Sequence, residues 1–209
     1  MSDEPRAVFG VLLAGGLGRR MGGGRDKFLR QLNGRPLLAH VIERASPQVA
    51  GLMINANVDA RRLEPFALPV AADVIKGFAG PLAGVLTALE WVRVHAPRCS
   101  WVASFASDTP FFPTNLVARL VERVRREQAE LGCAASNGRT HPVFGLWPVA
   151  LAPSLRKALT IEGIREIGVW TARHGVAIVE FPSKPHDAFF NVNTPEDLQE
   201  AEMLLALAS

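Results

Sequence analysis

The stretch AVFGVLLAGGLGRRMGGGRDKF, residues 7–28, joins an apolar run to a glycine-rich, basic segment. The run AVFGVLL is apolar throughout, as in a strand that is buried on both faces of a sheet. The segment from Leu12 to Phe28 holds six glycines, four basic residues and one acid. Glycines let backbone N–H groups approach a ligand, and basic side chains neutralise its negative charge. The stretch therefore predicts a buried strand followed by a phosphate-binding loop.

Two common glycine-rich motifs do not fit this loop. A P-loop requires a Gly-Lys pair, and the chain contains none. A dinucleotide fingerprint that starts at Gly16 and Gly18 would have Met21 in the place of its third glycine. The remaining interpretation is a loop whose backbone binds phosphate oxygens, with Arg20 and Lys27 neutralising a polyphosphate.

Strands and helices alternate after this loop, which predicts an α/β fold with a mostly parallel central sheet covered by helices on both faces. In such a sheet ligands bind at the carboxyl ends of the strands, so we expect the glycine-rich loop and Asp108 to converge there. The C-terminal helix has Thr194 as N-cap and Pro195 at its first position. The predicted helices are 36–45, 80–92, 115–130 and the one starting at Pro195; the predicted strands are 7–13, 51–57, 101–107, 132–136, 142–147 and 176–181.

Length and composition predict a single domain over residues 1–209. The chain is 48% hydrophobic and 21% charged, which is ordinary for a globular protein. Its N-terminal apolar stretch is far shorter than the roughly 20 residues that a membrane span requires, and no signal peptide is visible. Cys99 and Cys133 lie outside any CxxC pattern. We expect them to be core residues of a cytoplasmic protein that has no membrane contact.

The net charge of +3 suggests a nucleic-acid partner only at first sight. The arginines of the predicted helix 115–130 alternate with apolar residues and with acids, which is typical of a solvated helix face. Basic residues concentrate instead in the loop after the first strand. We therefore expect a small phosphorylated ligand and no nucleic acid.

Seven short motifs, in order along nearly the whole chain, resemble those of the molybdenum cofactor guanylyltransferases. That family belongs to the nucleotidyltransferases with a three-layer Rossmann-like fold. One departure is visible, because Gly24-Arg25 lengthens the spacing between RMG and DK by one residue. The motifs are LAGG (13–16), RRMGG (19–23), DK (26–27), GPLAG (80–84), SDTPF (107–111), HPVFGLW (141–147) and NVNTPEDL (191–198).

The resemblance implies a reaction in which GMP passes from GTP to the terminal phosphate of molybdenum-molybdopterin, with release of pyrophosphate. It also implies Mg²⁺ as cofactor and transient contact with cofactor-delivery chaperones or molybdoenzymes as partners. A hard cation takes one or two carboxylates plus phosphate oxygens, which suits Asp108 as its ligand. Arg20 and Lys27 would hold the outer phosphates of GTP, and they form with Asp108 the predicted catalytic set.

The resemblance assigns two groups of binding residues. Asp73 would contact either the guanine or the ribose, because a carboxylate accepts from both. The predicted GTP-binding residues are Leu13, Ala14, Gly15, Gly16, Lys27, Asn55, Asp73, Pro81, Leu82, Gly84 and Asp108. The predicted acceptor-binding residues are Arg139, His141, Asn191 and Asn193.

Each assignment has a structural alternative. Asn55 is a common turn residue, GPLAG also suits tight helix packing, and the asparagines of NVN also suit a turn. Asp108 also suits a helix cap, His141 a structural role and Arg139 a solvated position. At the level of function, the alternatives are a cytidylyl- or sugar-nucleotide transferase of the same fold and a non-catalytic nucleotide-binding domain.

Overall fold

A computed structural model describes residues 7–14, 27–77 and 80–208 of the chain. The strands are β1 (Ala7–Leu13), β2 (Gln31–Leu32), β3 (Arg35–Pro36), β4 (Leu52–Asn55), β5 (Val70–Ala71), β6 (Cys99–Ala106), β7 (Leu131–Ser136), β8 (Arg139–Pro148) and β9 (Val176–Phe181). The α-helices are α1 (Leu37–Ala45), α2 (Pro81–His95), α3 (Leu116–Glu127), α4 (Ala152–Thr160), α5 (Ile167–Thr171) and α6 (Pro195–Ala208). Short 3₁₀ turns cover Lys27–Leu29, Ser46–Gln48, Ala60–Phe66 and Val149–Leu151.

The main sheet has seven strands within the described residues, in the order β5-β4-β1-β6-β8-β7-β9. All neighbouring pairs are parallel except those of β8, which runs antiparallel to both β6 and β7. The predicted mostly parallel sheet is therefore confirmed.

The connections around β1 run to both sides of this strand. The chain leaves β1 for β4 and β5 on one side, and it returns to β6 on the other side. The order of the strands therefore reverses at β1, and ligands bind beside such a reversal in folds of this kind.

Helices cover both faces of the sheet, as predicted. Helices α1 and α3 pack on one face and α2, α4 and α5 on the other. The side chains of β1 alternate between these layers: Leu12 joins the core under α1 and α3, and Val11 the core under α2. Because β1 is buried on both faces of the sheet, its sequence is an unbroken apolar run.

Two Asn-Gly pairs form the tight turns of the fold. Asn33-Gly34 joins β2 to β3, and Asn137-Gly138 joins β7 to β8. All four residues have positive φ, as a two-residue hairpin turn requires. The second turn explains why β8 runs against its neighbours, because a loop this short can only reverse the chain.

The remaining differences from the predicted elements are local. Helices α4 and α5, β5 and the β2–β3 hairpin were not predicted, and β8 starts earlier than expected. Cys99 and Cys133 are free and buried, as predicted, and burial raises the pKa of the Cys133 thiol to about 11. No helix in the described part of the chain has the length and apolar character that a membrane crossing requires.

Candidate active site at the carboxyl edge of the sheet

The first element of the candidate site is the end of β1, between the ends of β4 and β6. The Ala14 backbone N–H donates to the Asn55 carbonyl at 2.9 Å, and the Ser107 N–H donates to the Leu13 carbonyl at 3.4 Å. The sequence predicted this meeting of the first strand with the segment that carries Asp108. The other predicted loop residues, Gly15, Gly16 and Arg20, lie outside the described residues, as does the side chain of Lys27.

Asp108 lies just beyond β6 and is partly exposed. Its carboxylate Oδ1 is 3.2 Å from the hydroxyl of Thr109, which is itself fully buried. The Asp108 carbonyl accepts a hydrogen bond from the Val192 N–H at 2.9 Å. The predicted metal ligand is therefore bound through its backbone to the NVN segment on the acceptor side.

Thr109 makes a second link to that segment. Its hydroxyl donates to the amide oxygen of Asn191, while Asn191 itself is exposed. Because the oxygen of this amide faces Thr109, its NH₂ group is left as the donor for a ligand. The sequence did not assign Thr109 a role, although its place in SDTPF beside Asp108 was a signal.

The NVN segment is fixed on its other side by the start of α6. The Asp197 carboxylate accepts the backbone N–H groups of Asn193 and Thr194, both at 2.7 Å. The Thr194 hydroxyl in turn accepts from the Asp197 N–H at 3.1 Å. This reciprocal pair is a capping box, and it confirms Thr194 as the N-cap.

Separate replacements of Asn193 and Thr194 should separate binding from stability. We expect Thr194→Ala to cost about 1 kcal/mol, because it removes the cap of α6. That loss lowers the melting temperature by about 2–4 °C in a chain of this size. Asn193→Ala should keep the melting temperature and GTP binding but slow transfer to the acceptor. An Asn193→Ala protein that melts lower and transfers GMP normally would show that the residue only shapes the turn.

A second cluster of polar groups surrounds Asp73. The Asn55 side chain is 2% exposed and donates to Asp73 Oδ1 at 3.0 Å and to the Ala71 carbonyl at 3.2 Å. Asn57 donates to Asp73 Oδ2 at 2.8 Å and accepts from the Asp73 N–H at 2.9 Å. Two amides thus fix one carboxylate. Asn55 holds Asp73 in this arrangement, and Asn57, two residues further on, was not predicted.

The start of α2 packs directly against this cluster. A Cβ at Gly84 would lie 2.3 Å from Asn55 Oδ1 and 2.7 Å from Leu13 Cδ2, so any larger residue would displace these side chains or α2. The Leu82 side chain is buried in the core, whereas Pro81 is exposed at the first position of the helix. Close packing therefore accounts for Gly84, and the wall of a base pocket stays a prediction for this motif.

The other residues that were predicted to bind the acceptor lie at the start of β8. Arg139 is exposed, and His141 is partly buried with its ring stacked on Phe189 at 4.4 Å between centroids. Burial lowers the pKa of His141, and the nearby charge of Arg139 lowers it further, whereas Asp187 and Glu180 act in the opposite direction. His141 Nε2 lies 2.7 Å from the Ser136 hydroxyl. The start of β8 thus brings both residues to the same edge as Asp108.

The donor set at this edge fits a hard cation that a nucleotide helps to bind. Within residues 7–14, 27–77 and 80–208, no three His, Cys, Asp or Glu side chains form a metal-binding cluster. Mg²⁺ typically uses one or two carboxylates, substrate phosphates and several waters. A single partly exposed carboxylate at Asp108, beside the end of β1, is consistent with that mode of binding.

Known proteins resemble the chain over nearly its full length. The family model described as MobA-like NTP transferase domain matches residues 10–175. A molybdenum cofactor guanylyltransferase from Bradyrhizobium sp. (strain ORS 278) is 53% identical over 206 residues, 99% of this chain and 97% of the relative. Another from Rhodopseudomonas palustris (strain BisB5) is 52% identical over 204 residues, 98% and 96% of the two chains.

The fold comparison agrees with the sequence comparison. A crystal structure of molybdopterin-guanine dinucleotide biosynthesis protein A from Archaeoglobus fulgidus superposes with a TM-score of 0.72 at 26% identity, covering 95% of this chain and 99% of that one. The sheet order, the site at its carboxyl edge and these matches lead to one assignment. The chain belongs to the MobA-like NTP transferase family and, within it, to the molybdenum cofactor guanylyltransferases.

Proposed function

We propose that this chain transfers GMP from GTP to the terminal phosphate of molybdenum-molybdopterin and releases pyrophosphate. The observation that carries the proposal is the direct contact between Asp108 and the NVN segment, made by the Val192 N–H and by Thr109 with Asn191. This contact brings the predicted metal ligand beside the predicted acceptor-binding residues. Two anionic substrates can then meet at one edge of the sheet.

The reaction brings two anionic phosphates together, so their negative charge has to be neutralised. An oxygen of the acceptor phosphate attacks the α-phosphorus of GTP, the bond from that phosphorus to the β-phosphate oxygen breaks, and pyrophosphate leaves. The attacking phosphate is already anionic, so no side-chain base is needed. Asp108 would hold Mg²⁺, which when bound neutralises charge on the phosphates. Arg20 and Lys27 would orient the outer phosphates, and the backbone from Leu13 to Gly16 would support them.

Selection of the nucleoside falls to Asp73. Asn55 and Asn57 each use one lone pair of its carboxylate, so each oxygen keeps capacity to accept from the ligand. Guanine offers N1–H and the 2-amino group to such an acceptor, whereas adenine offers an acceptor at N1. The ribose hydroxyls are the alternative donors, and binding of ITP, which lacks the 2-amino group, distinguishes the two.

The test of this function is a nucleotide panel followed by a transfer assay. GTP, CTP, ATP and UTP are titrated with Mg²⁺ present, and GMP transfer is then measured by release of pyrophosphate on addition of molybdenum-molybdopterin. We expect tightest binding of GTP and release that requires the acceptor. A preference for CTP would favour the cytidylyltransferase alternative, and binding without turnover would favour the non-catalytic one.

Replacement of Lys27 tests the phosphate contact separately from the nucleoside contact. We expect Lys27→Ala to weaken GTP binding by about 1.5–3 kcal/mol, the cost of one charge-assisted hydrogen bond. GMP, which lacks the outer phosphates, should lose little affinity. Lys157→Ala, which removes an exposed lysine from α4, is the matched control. Equal losses for GTP and GMP would mean that Lys27 does not bind the outer phosphates.

The product has to pass from this edge of the sheet to the protein that uses it. We propose transient contact with cofactor-delivery chaperones or molybdoenzymes, which would collect the dinucleotide from the exposed acceptor side around Arg139 and Asn191. Cross-linking at those positions in the presence of product would test it.

A further inference from the structure

Ser136, His141 and Asp187 form a hydrogen-bonded chain beside the acceptor side of the site. Ser136 is the last residue of β7 and is 1% exposed. Its hydroxyl donates to Asp187 Oδ1 at 2.9 Å and lies 2.7 Å from His141 Nε2. The three residues come from β7, β8 and the segment between β9 and α6, so the chain of hydrogen bonds ties these parts together.

The protons of this chain can be assigned from donor and acceptor chemistry. Asp187 Oδ1 accepts from the Phe189 N–H as well as from Ser136, both at 2.9 Å. A carboxylate only accepts, so the single hydroxyl proton of Ser136 is used toward Asp187. The Ser136 oxygen must then accept from His141, which places the imidazole proton on Nε2. In a neutral ring Nδ1 consequently carries the lone pair.

The surroundings of His141 favour the neutral ring in this orientation. Burial is the largest influence on its pKa and lowers it; Arg139 acts in the same direction, and Asp187 and Glu180 oppose it. The ring also stacks on Phe189 with an interplanar angle of 19°, which limits its rotation. Among the described residues, Nδ1 has no hydrogen-bond partner, and the side chain is partly exposed.

We propose that Ser136 and Asp187 are positioning residues that hold His141 as the Nε2–H tautomer, so that its Nδ1 accepts a hydrogen bond from an N–H or O–H group of the acceptor substrate. The proposal rests on the proposed function for the identity of that substrate, whose pterin ring carries such N–H donors. Arg139, two residues earlier, can only donate and suits a phosphate. His141 and Arg139, both at the start of β8, would thus bind two chemically different parts of one molecule.

Ser136 is the cleaner of the two positions for a test. Asp187 also holds the Phe189 backbone, two residues before Asn191, so its replacement would disturb the NVN segment as well. Ser136→Ala removes only the hydroxyl. Ser104→Ala is the control for loss of a buried hydroxyl that bonds β8. Ser104 is equally buried, and its hydroxyl donates to the Val143 carbonyl and accepts from Trp147 Nε1 and the Gly145 N–H, whereas no hydrogen bond joins it to His141 among the described residues.

The first measurement is spectroscopic and needs no substrate. In protein labelled with ¹⁵N-histidine, long-range ¹H–¹⁵N spectra report which ring nitrogen carries the proton, and His141→Gln identifies the signals. We expect a Nε2–H tautomer whose proton exchanges slowly with water in the wild type and in Ser104→Ala, and fast exchange in Ser136→Ala. A Nδ1–H tautomer, or equally fast exchange in all three proteins, would overturn the assignment.

The second measurement is kinetic. We expect Ser136→Ala to raise KM for the acceptor about three- to tenfold, the loss that corresponds to one neutral hydrogen bond, with GTP affinity unchanged. In a His141→Ala background the same replacement should have no further effect on that KM. An unchanged acceptor KM, additive effects, or an equal rise in Ser104→Ala would overturn the proposal. If the wild type transfers no GMP, the proposed function fails together with the substrate part of this inference, while the spectra still decide the role of Ser136.

Discussion

Replacing Asp108 with alanine is expected to reduce GMP transfer at least about a hundredfold without unfolding the protein. The reason is that this carboxylate would be the protein's ligand to Mg²⁺, and loss of one preorganised electrostatic contact in a reaction centre typically costs a factor of this size. Stability should hold because the side chain is partly exposed and the link to the NVN segment uses the Asp108 backbone carbonyl. Turnover across a Mg²⁺ titration and thermal unfolding are the two measurements.

Asp108→Asn is the control for this experiment. Asparagine keeps the size of the side chain and a polar group beside the Thr109 hydroxyl, but it removes the charge that binds a hard cation. We expect it to be nearly as inactive as the alanine variant. Near-normal turnover with intact Mg²⁺ dependence in either variant would contradict the role of Asp108 as metal ligand.

Gly84→Ala should impair both stability and nucleotide binding. The added methyl group would lie 2.3 Å from Asn55 Oδ1 and 2.7 Å from Leu13 Cδ2, so these side chains or α2 must move. Overpacking of this kind costs about 1–3 kcal/mol, and each kcal/mol lowers the melting temperature by about 2–4 °C in a chain of this size. Because Asn55 holds Asp73, we expect GTP and GMP to lose affinity equally, in contrast with Lys27→Ala.

Gly168→Ala provides the matched control for that substitution. Gly168 also lies in a helix, α5, but among the described residues no atom beyond its chain neighbours and its own helix backbone comes within 4 Å of a Cβ built there. Alanine is favoured over glycine in a helix by about 1 kcal/mol, so the control should melt at the wild-type temperature or slightly above. Similar melting temperatures for both variants would mean that the contact of α2 with Asn55 is not tight.

The fold was largely predictable because β1, β6 and α2 are deeply buried, and their sequences are therefore strongly apolar. Helix α4 was missed because Leu151 precedes it and, among the described residues, no side chain caps it. Pro153 in its first turn was the weaker signal of its start. Helix α5 is only five residues long and includes Gly168. The direction of β8, by contrast, could have been predicted from the sequence, since Asn137-Gly138 is a typical hairpin pair.

The site was predictable to the extent that its residues lie at strand ends. That Asp108 and the end of β1 lie at one edge follows from their positions at the carboxyl ends of two predicted parallel strands. Asn57, Thr109, Ser136 and Asp187 do not, because their roles depend on contacts between segments far apart in the chain. Thr109 and Asn191, for example, are joined only when the segment before α6 folds back to the end of β6. No local pattern of residues encodes such a contact.

The antiparallel direction of β8 also bears on how the choice of acceptor could change among related proteins. The predicted nucleotide side of the edge lies where parallel strands end in long crossovers, whereas Arg139 and His141 lie at the amino end of a strand that follows a two-residue hairpin turn. The two halves of the edge are therefore built by different segments of the chain, which meet where Val192 and Asn191 contact Asp108 and Thr109. We expect exchange of the hairpin together with the segment before α6 to alter which acceptor is used, provided that the contacts of Val192 and Asn191 with Asp108 and Thr109 are kept. A graft of these two segments between relatives would transfer acceptor choice as a unit.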